Sequence, residues 1–145
     1  MNTPLLSVCI RSYNQEKFIE QAVNSVLSQK TTFDFEVLIG NDCSTDNTYE
    51  TVKNSEVRCI NGIFNMRYAW AVQTGLKYAY QNDYDYVIQF DADGQHIAKE
   101  AEKLFETIQK ENCDIVIGSR YLEDTGYPCP LFRRIGTKIF EFLVK

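Results

Sequence analysis

Leu5-Leu6-Ser7-Val8-Cys9-Ile10 and Phe35-Glu36-Val37-Leu38-Ile39 are two short apolar runs separated by a stretch of helical periodicity. That alternation decides the fold. Each run is too short for a helix and rich in branched residues, which predicts strands buried on both faces. Between them Ile19, Ala22, Val23, Val26 and Leu27 recur at helical spacing from Phe18 to the Lys30-Thr31-Thr32 break. The polar turn Arg11-Ser12-Tyr13-Asn14 supplies a candidate helix cap in Ser12 or Asn14.

The same rhythm continues outward. Val57–Ile60 reads as a short third strand, Met66–Gln81 as a helix carried by Ala69, Val72, Leu76 and Ala79, and Tyr86–Phe90 as a fourth strand. Ile97–Lys110 is amphipathic, and Ile115–Ile117 reads as a fifth strand stopped by Gly118. Apolar strands alternating with helices predict an α/β sandwich of Rossmann type, with a mostly parallel central sheet and helices on both faces. The chain of 145 residues fits a single domain over 1–145. Asp124–Pro130, with Gly126, Pro128 and Pro130, is the one evident loop before a C-terminal helix.

Composition narrows the function. A hydrophobic share of 44% suits a packed globular domain, and a net charge of −5 argues against nucleic acid as a partner. The five cysteines form no CxxC pair, so zinc and dithiol chemistry lack their spacing. Cys9, Cys59 and Cys113 lie in strand-like runs and read as buried, reduced thiols. Met1–Pro4 has no basic or apolar leader character, and no run nears the ~20 apolar residues of a membrane span. The expectation is a cytoplasmic protein, at most peripheral on a membrane.

Polar residues collect where parallel sheets bind ligands, beyond the carboxyl ends of the strands. Strand one ends in Ser12-Tyr13-Asn14, strand two in Asn41-Asp42, strand four in Asp91-Ala92-Asp93 and strand five in Ser119-Arg120. Crowded carboxylates repel one another unless a cation joins them. Asp42 alone reads equally well as a helix-capping loop residue. Asp91 and Asp93 together suit one hard cation, Mg²⁺ or Mn²⁺, with Gln95 as a further oxygen donor and Gly94 permitting the sharp bend.

Four blocks then carry a family resemblance. Val8-Cys9-Ile10-Arg11-Ser12-Tyr13-Asn14 and Asn41-Asp42-Cys43-Ser44-Thr45-Asp46 resemble the first two motifs of the inverting GT-A glycosyltransferases of family 2, whose second motif usually reads Asp-Asp-Gly-Ser-Thr-Asp. Asp91-Ala92-Asp93-Gly94-Gln95-His96 is similar to the metal motif of the dolichyl-phosphate mannose synthase-like, polyprenyl-phosphate branch, and Ile117-Gly118-Ser119-Arg120-Tyr121 to its next block.

The resemblance implies a metal-dependent transfer from a nucleoside-diphosphate sugar to an acceptor, a polyprenyl phosphate or a glycan hydroxyl. Ser12, Tyr13, Asn14 and Asp42 would meet the nucleobase; Asp91 the ribose or the metal; Asp93 and Gln95 the metal. Arg120, with Arg133 or Arg134, would face phosphate. Residues 5–121 would form the nucleotide-sugar-binding part, with the loop and helix of 122–145 beyond it.

Departures from the family pattern are Arg11 in place of proline, Asn41 in place of the first acid, and Arg67 where an Asn-x-Gly pattern follows Asn65.

His96, the one histidine, reads as a general base or as a supporting residue. Leu131, Phe132, Ile135, Ile139, Phe142 and Leu143, interspersed with Arg133, Arg134 and Lys138, form an apolar stripe. It suits a membrane interface, or docking on the sheet or on a further segment. Relatives of this pattern continue past the equivalent of Lys145 into an acceptor-binding half, which is expected to be missing here. No base stands out; Glu123 and Asp124 lie in the right loop without a distinguishing spacing. A phosphate acceptor needs no base, being already anionic.

A catalytically idle nucleotide-sugar binder is the main rival reading. A haloacid-dehalogenase-type phosphatase would place Asp-x-Asp at the first strand, and a phosphorylation receiver would carry an acidic pair there.

Overall fold

The computed structural model describes residues 5–94, 96–119 and 131–144. Gln95 and Arg120 lie outside the described residues, as do residues 121–130 and the side chains of Arg133 and Arg134. Four strands, β1 (Leu6–Ser12), β2 (Phe35–Asn41), β3 (Arg58–Asn61) and β4 (Tyr86–Asp91), form one sheet in the order β3-β2-β1-β4. Every pairing is parallel. The helices are α1 (Ile19–Leu27), α2 (Thr48–Val52), α3 (Arg67–Gln81), α4 (Lys99–Glu111) and α5 (Leu131–Val144).

The period-2 alternation of β1 sorts its side chains onto two faces. Leu6, Val8 and Ile10 join Val37 and Ile39 in a core with Ile19, Val23 and Val26 of α1 and Phe105 of α4. Phe105 also packs its ring edge-on against Tyr86, centroids 5.1 Å apart. The opposite face takes α3, and it is built for close approach. A Cβ on Gly75 would sit 2.9 Å from Cys9 Sγ and 3.0 Å from Cys9 Cβ, so only glycine lets α3 lie this near β1.

Three expectations need correction. Ile115–Ile117 is not a strand: it carries no sheet pairing among the described residues, and Ile115 and Ile117 are 76% and 81% exposed. A three-residue apolar run offers few ladder hydrogen bonds, and its pattern does not say which neighbour would cover it. Cys113 is consequently exposed rather than buried, while Cys9 and Cys59 are half-buried and Cys43 is also free. Finally, neither Ser12 nor Asn14 caps α1, which starts behind Phe18 with no side-chain cap.

The cap is supplied across the chain instead. Thr48 Oγ1 accepts from Gln15 N–H at 2.7 Å and Asp46 Oδ2 from Glu16 N–H at 3.1 Å. Glu16 Oε2 returns the favour to Asn47 N–H at 3.1 Å. The two loops that follow β1 and β2 are thus tied together. Slight burial would raise the Asp46 pKa, but the Thr48 hydroxyl and the Thr48 and Glu16 N–H groups outweigh it and lower it.

The α5 stripe is not docked on the sheet: Phe132, Ile135, Ile139, Phe140, Phe142 and Leu143 are all exposed. No helix among the described residues is long and apolar enough to cross a membrane.

Candidate nucleotide-sugar site

With β1 between β2 and β4, the chain leaves β1 toward one side for β2 and returns to the other for β4. Ligands of open parallel sheets bind where the strand order reverses in this way. The carboxyl ends of β1, β2 and β4 carry Arg11-Ser12, Asn41-Asp42 and Asp91. A cleft of about 200 Å³ opens there, lined by Arg11, Tyr13, Asp42, Asn65, Arg67, Tyr68 and Ala71.

Asp42 is buried at the floor of this region, and its Oδ1 accepts from Met66 N–H at 2.8 Å. Asn65 Nδ2 donates to the Asp42 carbonyl at 3.1 Å. The loop before α3 is therefore hung on Asp42. Beneath it Asn41 is fully buried: its Nδ2 donates to Asn61 Oδ1 at 2.5 Å and its Oδ1 accepts from Ser44 Oγ at 2.6 Å. A neutral amide satisfies both neighbours without burying a charge, which gives a physical account of asparagine at this position.

Of the β1 turn, Tyr13 borders the cleft. Asn14 faces the β2 loop, its Oδ1 accepting from Thr45 N–H at 2.8 Å and its own N–H donating to Ser44 Oγ at 2.9 Å. Ser12 is 1% exposed, and its hydroxyl has no hydrogen-bond partner among the described residues.

Asp91 ends β4 directly opposite Arg11 of β1. The guanidinium takes both carboxylate oxygens, Nε to Oδ1 and Nη2 to Oδ2, each at 3.1 Å. Its charged carbon also lies 4.4 Å from the centre of the Tyr68 ring, and Gln89 hydrogen-bonds the Tyr68 hydroxyl. Partial burial works against the Arg11 charge, but the hydrogen bond and charge of Asp91 outweigh it, so its pKa is raised. It is a fixed cation.

The Asp91 N–H donates to His96 Nδ1 at 3.1 Å, and the His96 ring stands edge-on to Phe90. His96 therefore braces the turn after β4, with Nδ1 as the acceptor. Gly94 makes that turn with φ +77°.

Mg²⁺ or Mn²⁺ fits the donor chemistry here. Asp91 and Asp93 offer hard carboxylate oxygens on one tight turn, and magnesium sites commonly use one or two carboxylates plus substrate phosphates. Among the described residues no group of three acidic, histidine or cysteine side chains forms a ready cage.

Two features were missed from the sequence. One is the Arg11–Asp91 pair, signalled only by an arginine at the position where the family pattern has proline. The other is backbone strain: Cys43 and Arg67 have φ 55° and 69°, the left-handed region. Both stand where the family pattern carries glycine, which was the available signal.

Comparison with known sequences gives the family. The pattern described as "Glycosyl transferase family 2" matches residues 7–128. The chain belongs to that family.

It is 30% identical to a UDP-N-acetylglucosamine–dolichyl-phosphate N-acetylglucosaminyltransferase of Methanococcus voltae, over 99% of this chain and 63% of that one. It is also 30% identical to the Escherichia coli UDP-Glc:alpha-D-GlcNAc-diphosphoundecaprenol beta-1,3-glucosyltransferase WfgD, over 82% of this chain and 47% of the other. The chain thus spans less than two thirds of these relatives. In fold it matches S. aureus TarS 1–349, solved in complex with UDP-GlcNAc, with a TM-score of 0.63 at 24% identity, over 81% of this chain and 38% of that one.

The fold is GT-A. The phosphatase and receiver readings fall with family membership. The sheet order also opposes a receiver, in which the first strand lies between the second and third.

Proposed function

We propose that this chain binds a nucleoside-diphosphate sugar in the cleft at the carboxyl ends of β1, β2 and β4, with Mg²⁺ or Mn²⁺, and serves transfer of the sugar to a polyprenyl phosphate. The observation that carries the reading is that Asp42 and Arg11 line one cleft at the point of strand-order reversal, with Asp91 paired to that Arg11, in a chain of family 2.

The buried Asp42 accepts from a ring N–H of the base through its remaining lone pairs, while Tyr13 and Tyr68 flank the opening. Asp91 and Asp93, with Gln95, would hold the cation, and Asp91 would also reach the ribose. The cation supplies neutralisation of the charge that grows on the leaving diphosphate. Arg67, and Arg120 with Arg133 or Arg134, add cationic partners for phosphate.

A phosphate acceptor attacks without losing a proton, so no carboxylate base is required. The name of the M. voltae relative supports a polyprenyl phosphate acceptor, whereas that of the E. coli relative describes transfer to a sugar hydroxyl of a polyprenyl-linked acceptor. The exposed apolar face of α5, over 131–144, supports peripheral contact with the membrane that would carry such an acceptor.

One observation favours binding without transfer: both oxygens of Asp91 are held by Arg11. Thermal shift with UDP- and GDP-sugars, with and without Mn²⁺, tests the donor site. Stabilisation that is stronger with Mn²⁺, and loses its metal-dependent part in Asp93→Ala, is expected. No nucleotide response in any condition refutes the proposal. Incubation with a responding donor and polyprenyl phosphate then separates transfer from idle binding.

A further inference from the structure

We propose that Arg11 makes cation uptake at Asp91 and Asp93 contingent on the nucleotide diphosphate; the inference rests on the nucleotide-sugar reading above.

Arg11 engages Oδ1 and Oδ2 of Asp91 together, so a cation is left only the outer lone pairs of the carboxylate, beside a guanidinium charge. The fork is held from its other side as well. Tyr68 lies under the guanidinium, and Gln89 fixes the Tyr68 hydroxyl. Both partners are largely covered, with side-chain exposures of 25% and 17%, so water screens the pair less than it would a surface pair. A divalent cation must therefore bind beside that positive charge or displace a guanidinium that is geometrically matched to the carboxylate.

Displacement alone is unfavourable. Two carboxylates set against a guanidinium and a divalent cation leave the cluster net positive in a partly desolvated site. A diphosphate reverses the sign. It also gives Arg11 somewhere to go, because the arginine already lines the cleft that Asp42 and Tyr13 border. Its two-pronged donor geometry suits phosphate oxygens as well as it suits a carboxylate. Arg11 is thus a positioning residue that orders assembly: it guards Asp91 in the empty site and transfers to the diphosphate when the donor arrives.

The test is Mn²⁺ titration of the 145-residue chain, with free Mn²⁺ followed by electron paramagnetic resonance. Wild type, R11Q and R11K are compared alone, with UDP and with GDP. Without nucleotide, R11Q is expected to bind Mn²⁺ at least about tenfold more tightly than wild type, since it removes a neighbouring positive charge. R11K, which keeps the charge and loses the fork, falls between them. Whichever of UDP and GDP binds should tighten Mn²⁺ binding to wild type far more than to R11Q.

Should R11Q melt early, R11K against wild type carries the same comparison. Equal Mn²⁺ affinities without nucleotide overturn the role of Arg11 and leave the donor site standing. No Mn²⁺ uptake by any variant, with or without either nucleotide, overturns the metal reading and this proposal with it.

Discussion

Cys43 and Arg67 stand one residue beyond each end of a single hydrogen bond, the 2.8 Å contact from Met66 N–H to Asp42 Oδ1. Both hold a left-handed backbone, with φ 55° and 69°. The chain bends sharply on both sides of the Asp42 carboxylate, and it does so with side chains that oppose the bend. A left-handed residue other than glycine costs about 1–2 kcal/mol, partly offset by the extra freedom glycine has when unfolded.

Cys43→Gly and Arg67→Gly should therefore each stabilise the protein by about 0.5–1 kcal/mol in urea unfolding. Gly94→Ala, at φ +77°, should do the opposite. Arg67 also lines the cleft. Its glycine variant is expected to weaken nucleotide binding while the fold gains stability, whereas Cys43→Gly should leave binding nearly unchanged.

Gly75 makes a second, independent prediction. Alanine at that position gains helix propensity, but its Cβ would lie 2.9 Å from Cys9 Sγ and 3.0 Å from Cys9 Cβ. Overpacking of this kind costs about 1–3 kcal/mol, which exceeds the gain of roughly 1 kcal/mol from replacing a helical glycine. Gly75→Ala should destabilise the fold. Cys9→Ala in the same chain relieves the sulfur contact and leaves the Cβ contact, so a double-mutant cycle should show partial rescue.

The thiols should separate by reactivity. Burial pushes Cys9 up from 9.0 to about 11, with a Ser7 hydrogen bond opposing and Glu36 adding to the shift. Burial likewise takes Cys59 to about 11 against a backbone hydrogen bond from Asn41. The thiolate is the nucleophile, so at pH 8 only roughly a thousandth of either group is reactive. Peptide mapping after brief iodoacetamide treatment at pH 8 should find the exposed Cys113 labelled well before both. Because these folded pKa values are raised, the associated stability is present below pH 9 and is lost as pH rises toward 11. A melting temperature that fails to fall across that window would contradict the shifts.

Strand and helix order was legible because burial on both faces leaves continuous apolar runs such as Val37-Leu38-Ile39. What pattern could not show is where the runs end. β1 continues to Ser12 and β2 to Asn41 because polar residues extend the ladder once Asn61 and Ser44 satisfy the Asn41 amide. Ile115–Ile117 has the same composition as a strand and lacks a partner, a distinction that no local window contains. The capping of the α1 approach by Asp46 and Thr48, and the grip of Arg11 on Asp91, join residues far apart in sequence. Their residue types were visible, and Asp42 and Asp91 were placed at strand ends correctly. Their pairings were not visible.

Ser12 offers a prediction with opposite signs for stability and binding. Its hydroxyl is buried and unpartnered among the described residues, while its backbone carbonyl accepts from Asp42 N–H at 3.0 Å and its register partner on β2 is Asn41. A buried hydroxyl without a partner carries a desolvation cost, so Ser12→Ala should raise stability by about 1 kcal/mol. Residues kept against the interest of stability are commonly kept for a ligand. If the hydroxyl is reserved for the nucleotide, Ser12→Ala should weaken UDP or GDP binding by about one hydrogen bond, roughly fivefold to tenfold. Calorimetric titration and urea unfolding on the same preparation measure both quantities. A stabilised variant with unchanged nucleotide affinity would remove Ser12 from the donor site, and the backbone of the turn would then be its whole contribution there.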